Sequence, residues 1–226
     1  MKDMRVKHLA VSVILAVFLA LCSVNSSVPL YAATQQFDVR ASVPQQNGFT
    51  VTVNRIQGVA STPSANAVSL SRVQGNTWTP SSSIDFGNLY FDSAKNIFLS
   101  NYYYAVDVEV LANLKNWSIA HDTTPILNAN LPPDDMGYNT LDYNVNVTFV
   151  KQFDDTTGDQ LKKKNYADSN GLVFTKDNLS GGWLRIYYGI ATGEPGKDAP
   201  GASPIGLDKP TGRYQGEVIL TLFGSV

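Results

Sequence analysis

Short runs of alternating apolar and polar residues recur along most of the chain. The clearest run is Tyr102–Val110, in which Tyr104, Val106 and Val108 share one face and Asp107 lies on the other. Successive side chains of a strand point to opposite faces, so a period of two predicts a half-buried strand. Similar runs predict strands at Phe37–Val43, Phe49–Ile56 and Tyr143–Phe149. Four further segments predict strands with both faces partly covered: Ile84–Phe91, Trp117–Ala120, Trp183–Ile190 and Tyr214–Phe223.

Polar spacers rich in Gly, Pro, Asn, Asp and Ser separate these runs, for example Pro132–Gly137 and Gly193–Pro210. Such residues favour turns, and no stretch holds the 3.6-residue period of an amphipathic helix. The pattern therefore predicts an all-β protein. We expect an immunoglobulin-like or jelly-roll-like β-sandwich of about eight or nine antiparallel strands, with little helix.

The first 33 residues have the pattern of a secretory signal peptide. Three basic residues within the first seven precede the apolar run Leu9–Cys22, and the small residues Ala32 and Ala33 follow later. The run is shorter than the roughly 20 residues that a membrane-spanning helix needs, which disfavours an uncleaved anchor. A lipoprotein signal would acylate Cys22, but it prefers a small residue where Leu21 stands.

These features predict cleavage near Ala32 or Ala33 and export to the periplasm, the cell surface or the medium. They assign residues 1–33 to the signal peptide and residues 34–226 to a single β-sandwich domain. We expect no membrane span after the signal peptide is removed.

Removing residues 1–33 changes the composition. Three of the 17 basic and one of the 19 acidic residues lie in this segment, so 14 basic and 18 acidic residues remain. A chain without a basic surplus is not expected to bind nucleic acid. The remaining chain has no Cys, and His121 is its one His. This argues against disulfides, zinc sites and Cys nucleophiles, and a Ser-His-Asp triad would have to use His121.

Acidic residues are candidates for metal binding or catalysis. The spacing of two Asp groups lacks the carboxylate series of an EF-hand loop, and Asp-rich turns commonly bond their own backbone. Asp107 and Glu109 lie on one strand face about 7 Å apart, as neighbours rather than as a pair across a cleft. We therefore predict no metal site, no cofactor, no catalytic residue and no enzymatic activity. The two Asp groups are Asp154, Asp155 and Asp159, and Asp134 and Asp135.

Aromatic residues offer a candidate binding surface. Tyr103, Trp183 and Tyr187 occupy the faces of two predicted strands that lie opposite the more apolar faces. Rings in such positions either form a platform on which a sugar stacks or fill a sheet face. The function that an exposed platform implies is a secreted carbohydrate-binding module, with glycans as partners.

The strand Phe37–Val43 begins a few residues after the predicted cleavage site, and Tyr214–Phe223 ends the chain. An alternating strand at the free N-terminus is what strand exchange requires, because it can add to an open sheet edge of another subunit. The candidate exchange residues are Phe37, Val39, Ala41 and Val43. The alternative is that this strand pairs within its own sheet.

The same segments resemble a family. FDVRASV at Phe37–Val43, IDFGNL at Ile84–Leu89 and GRYQGEVILTL at Gly212–Leu222 look like the secreted immunoglobulin-like pilin and spore-coat-U type subunits of bacteria. Such subunits often end in a Gly-x-Tyr-x-Gly segment that leads into a final strand, and Gly212, Tyr214 and Gly216 fill those positions. Many members carry a Cys pair in the first half, which this chain lacks after residue 22.

This resemblance implies an exported structural or adhesive surface protein, a pilin-like subunit. Its partners would be further copies of itself, in a homopolymer, or other surface subunits. The secreted carbohydrate-binding module is the alternative from another class, and a jelly-roll hydrolase is a third.

Overall fold

A computed structural model describes residues 36–42, 49–58, 78–110, 115–132, 137–151, 160–179 and 183–225, the first of these ranges as backbone only. All of them belong to one structural unit. Two short 3-10 turns, Ala167–Ser169 and Lys176–Asn178, accompany fourteen strands in these ranges. The strands are β1 (Gln36–Ser42), β2 (Phe49–Gln57), β3 (Trp78–Ser81), β4 (Ile84–Asn88), β5 (Tyr90–Asp92), β6 (Ile97–Leu99), β7 (Tyr102–Val110), β8 (Asn116–Thr123), β9 (Leu127–Asn128), β10 (Val145–Lys151), β11 (Gln160–Asn165), β12 (Leu172–Thr175), β13 (Trp183–Ile190) and β14 (Arg213–Ser225).

The strands form two six-stranded sheets and one hairpin. Sheet A has the order β12-β8-β14-β1-β4, with β9 beside the start of β14, and sheet B has the order β11-β10-β13-β7-β2-β3. Strands β5 and β6 pair with each other. Neighbouring strands run antiparallel, with the exception of β1 and β14, which run parallel. The predicted all-β sandwich with little helix is confirmed.

The main core lies between the two sheets. Alternate residues of β7, β8, β10, β13 and β14 enter it, such as Ile119 and Leu220 from sheet A and Val106, Phe149 and Ile186 from sheet B. These side chains are almost fully buried. Burying each of them stabilises the fold by about 1.5–3 kcal/mol, which explains how a domain without crosslinks holds together. None of the described residues forms a helix that is long and apolar enough to cross a membrane.

Strand boundaries follow the sequence pattern where the alternation is regular. Strands β7 and β13 have the predicted bounds, Tyr102–Val110 and Trp183–Ile190. The predicted strand Ile84–Phe91 is divided into β4 and β5, and Gly87 within it adopts a left-handed φ of 64°. That conformation interrupts the regular pleat, which ends β4 and starts a new strand.

Candidate functional site

Strand β1 lies inside sheet A, between β14 and β4 of the same chain. It runs parallel to β14 from the pair Gln36 and Arg213 to the pair Ser42 and Ile219. It runs antiparallel to β4, with one register shift. Both edges of β1 therefore pair with a neighbour, and without β1 the facing edges of β14 and β4 would lack one. In the single chain β1 pairs within its own sheet, and exchange between copies stays a prediction.

The apolar residues of β1 are in phase with the buried residues of β14. The register pairs are Phe37–Tyr214, Val39–Gly216 and Ala41–Val218. The three β14 partners are buried, whereas Gln215 and Glu217 between them are half-buried and exposed. The alternation of apolar and polar residues in the β1 sequence is thus in register with the alternation of burial along β14. Val43, the fourth predicted exchange residue, lies outside the described residues.

The Gly-x-Tyr-x-Gly segment shapes the start of β14. The Tyr214 hydroxyl donates a hydrogen bond of 2.7 Å to the carbonyl oxygen of Pro210, and the ring is fully buried. A Cβ atom on Gly216 would lie 2.9 Å from Cγ1 of Ile126, and one on Gly212 would lie 2.7 Å from a side-chain nitrogen. Each of the three residues therefore has a packing role beside the place where β1 pairs.

The predicted aromatic surface lies on the face of sheet B that points away from sheet A. Trp183 is 8% exposed and Tyr187 is 1% exposed, whereas Tyr103 is half-buried. The rings of Tyr103 and Tyr187 are 6.4 Å apart, and burial raises the pKa of Tyr103 to about 12. The expectation of exposed rings is therefore corrected for Trp183 and Tyr187, because apolar rings on a covered sheet face are buried with it. Glycan binding stays a prediction.

Tyr103 and Tyr187 belong to a second group of packed side chains on this face, which we call the outer cluster. It contains Ile56, Trp78, Tyr103, Ala105, Asp107, Val150, Arg185 and Tyr187. An ion pair lies within it. Nε and Nη2 of Arg185 donate to the two carboxylate oxygens of Asp107, at 2.6 and 3.0 Å.

The outer cluster keeps this ion pair almost dry. Arg185 is 0% exposed and Asp107 is 6% exposed. The guanidinium carbon lies 4.9 Å from the ring centroid of Trp78, a cation–π contact. Burial alone would lower the pKa of Arg185, but the Asp107 carboxylate outweighs it, so the pKa is raised.

The Arg185–Asp107 pair was not among the predicted sites. The sequence carries a signal for it. Arg185 lies between two aromatic residues on the outward face of β13, and Asp107 lies beside a small residue on the outward face of β7. The two residues are register partners on neighbouring strands. Opposite charges that face each other across a sheet attract, and that pairing is not contained in either strand alone.

His121 is a core residue that links the two sheets. Its Nδ1 lies 2.8 Å from the carbonyl oxygen of Ser169, and its Nε2 lies 2.8 Å from the hydroxyl of Tyr188. A carbonyl oxygen only accepts, so we assign the proton to Nδ1, and Tyr188 donates to Nε2. The ring packs edge-on against Phe149. Burial lowers the pKa of His121 to about 4.

The remaining candidate residues are the two predicted Asp groups. Asp154, Asp155 and Asp159, and Asp134 and Asp135, lie outside the described residues. Within the described ranges, no three His, Cys, Asp or Glu residues come together as metal ligands would.

A comparison with models of known protein families finds no match, and neither does a comparison with curated proteins.

Proposed function

We propose that this protein is an exported structural or adhesive surface subunit whose copies join by exchanging strand β1. The observation that carries the proposal is the place of β1, a terminal strand bonded on both edges between β14 and β4. A second copy of the same sequence carries an identical strand, with the same register and the same pairing groups. Exchange of identical elements between protomers is a low-cost route to assembly.

The chain around β1 also supports exchange. If the signal peptide is cleaved near Ala33, β1 starts only a few residues after the new N-terminus. Its one remaining covalent link to the sandwich is then the six-residue segment 43–48. Such a segment reaches at most about 20 Å, and short hinge segments favour exchange over closure within one chain.

Deletion of residues 34–43 tests the proposal at its simplest. We expect the exported chain to lose its polymers in size-exclusion chromatography with light scattering, and its monomer to be less stable, because β14 and β4 lose a paired strand. If the parent chain is also monomeric, and the deletion variant is as stable as the parent, the exchange proposal is wrong.

Cysteine crosslinking tests the exchange without removing the strand. Asp38 and Gln215 are register partners on β1 and β14, and paired strands bring Cα atoms within the range that a disulfide spans. The chain has no Cys after residue 22, so a chain with Asp38→Cys and Gln215→Cys forms only the introduced bond. Exchange predicts a ladder of covalently linked chains in a non-reducing gel.

The matched control joins two strands that are not exchanged. Ala120 and Thr221 are register partners on β8 and β14, both within the body of sheet A. A chain with Ala120→Cys and Thr221→Cys should give crosslinked monomers only. Crosslinked monomers from both cysteine pairs would show that β1 closes its own sheet, and the exchange proposal would then be wrong.

A further inference from the structure

An open groove lies on sheet A at the end of β14, with a volume of about 530 Å³. Strands β8, β12 and β14 and the second 3-10 turn form it. Phe223 in its wall is 57% exposed, although aromatic side chains are usually covered. The groove is lined by Asn116, Trp117, Ser118, Thr175, Lys176, Asp177, Phe223 and Gly224.

Three of the lining residues form a row across the sheet. Thr175 is the register partner of Ser118, and Ser118 is the register partner of Phe223 on its other side. Directly paired residues share a face and neighbouring strands are about 4.8 Å apart, so two hydroxyl groups and a ring stand side by side over about 10 Å. This width suits one or two sugar rings.

The rim offers hydrogen-bonding groups of both kinds. The Lys176 ammonium donates a hydrogen bond of 3.0 Å to the carbonyl oxygen of Lys115, which fixes this side chain at the rim. The Thr175 hydroxyl donates to Oδ1 of Asn178 at 3.0 Å and accepts from the backbone N–H of Asn178, which leaves its oxygen one acceptor position for a ligand. One Lys and one Asp balance each other in charge, which favours a neutral ligand over an anion.

We propose that this groove binds a neutral glycan, with a sugar ring on the face of Phe223 and its hydroxyl groups bonded to the row and the rim. An exposed ring beside a few convergent polar groups is the usual composition of a small-molecule site. This inference rests on the adhesive form of the proposed function and names its ligand class. It places glycan binding on Phe223 instead of Tyr103, Trp183 and Tyr187.

The probe is a panel of neutral oligosaccharides on an array, followed by calorimetric titration of the best binder against the exported chain. Phe223→Ala should weaken binding about tenfold or more, because it removes the stacking surface. Phe223→Tyr keeps the ring and should restore it. Val173→Ala is the matched control, since Val173 is an exposed apolar residue of β12 that does not line the groove.

Two outcomes would overturn the glycan site: no neutral oligosaccharide binds at about 10 mM, a weak-affinity limit, or Phe223→Ala binds as well as the parent chain. Binding of acidic oligosaccharides alone would also overturn it, because the ligand would then be an anion. Phe223 lies beyond the part of β14 that pairs with β1, which ends at Ile219. Failure here thus leaves the crosslinking ladder intact, and failure of the exchange leaves glycan titration intact.

Discussion

Tyr187 and Tyr188 are neighbours in β13, yet they enter two different polar environments. Tyr188 points into the core between the sheets and donates a hydrogen bond to His121. Tyr187 points to the opposite face, into the outer cluster, where its hydroxyl accepts from Arg185 at 3.4 Å. Both rings are almost fully buried. Strand β13 therefore contributes Tyr188 to a neutral polar pair on one face and Arg185 to a charged pair on the other.

The difference shows two ways of burying polar groups. In the core, His121 is kept neutral by a lowered pKa and satisfied by one donor and one acceptor, so no charge is desolvated. In the outer cluster the charges are kept, and Arg185 and Asp107 satisfy each other through two hydrogen bonds. A buried ion pair adds little net stability, but breaking it is costly because a charge stays buried. The two faces should therefore respond differently to substitution.

The largest effect is expected from Asp107→Ala. It leaves the Arg185 guanidinium buried without its carboxylate, which should lower the free energy of unfolding by about 3–5 kcal/mol. Denaturant unfolding followed by tryptophan fluorescence measures it. The control is the double variant Asp107→Leu and Arg185→Met, which removes both charges and should recover most of the loss. A double variant as unstable as Asp107→Ala would show that shape, and not charge, decides the outer cluster.

The core face should respond to pH instead. The pKa of His121 is about 4 in the folded chain and about 6.5 when unfolded, so the unfolded chain binds more protons between these values. Stability from this group is complete above about pH 6.5 and is lost as the pH falls towards 4. The loss amounts to about 3 kcal/mol.

Unfolding free energies between pH 4 and 7 measure this loss, and His121→Gln serves as the comparison because it does not titrate. The variant is less stable near pH 7, but its stability should depend less on pH. Parallel pH profiles for the two chains would contradict a neutral, buried His121.

The sequence predicts the faces of β13 better than it predicts their chemistry. The period of two places Tyr187 and Tyr188 on opposite faces, as the structure has them. The sequence leaves open whether the outward face is an exposed platform or a filled sheet face, because a single strand does not reveal what covers it. Asp107 lies 78 residues before its partner Arg185, and His121 lies 67 residues before its partner Tyr188, so only the pairing of strands and sheets brings them together.

Short edge strands are also hard to predict. Lys162, Lys163 and Lys164 show no alternation of apolar and polar residues, yet they lie in β11, the edge of sheet B next to β10. Lysines on an edge strand discourage pairing with other chains, so their charge reflects the exposed edge and not the absence of a strand. Strands β3, β6, β9 and β12 have two to four residues, too few for a period to be recognised.

The two tyrosines themselves give a smaller and more direct contrast. Tyr188→Phe removes the donor to Nε2 of His121 in the core, which should cost about 1–2 kcal/mol. Tyr187→Phe removes only a long contact with Arg185, whose carboxylate partner remains, and should cost less than about 0.5 kcal/mol. Denaturation midpoints of the two variants, measured side by side, test the order. Equal losses would mean that the hydroxyl groups matter alike on both faces.

The smallest effect is expected where an ion pair lies in water. Lys95 and Glu194 are 3.2 Å apart, with side chains 45% and 36% exposed. Solvent screens such a pair and competes for its hydrogen bonds, so Lys95→Ala should leave the denaturation midpoint unchanged within error. Adding about 1 M salt should not alter that result. The loss caused by Asp107→Ala should also stay nearly intact in salt, because a dry pair is poorly screened. A Lys95→Ala loss comparable to that of Asp107→Ala would show that burial does not separate the two ion pairs.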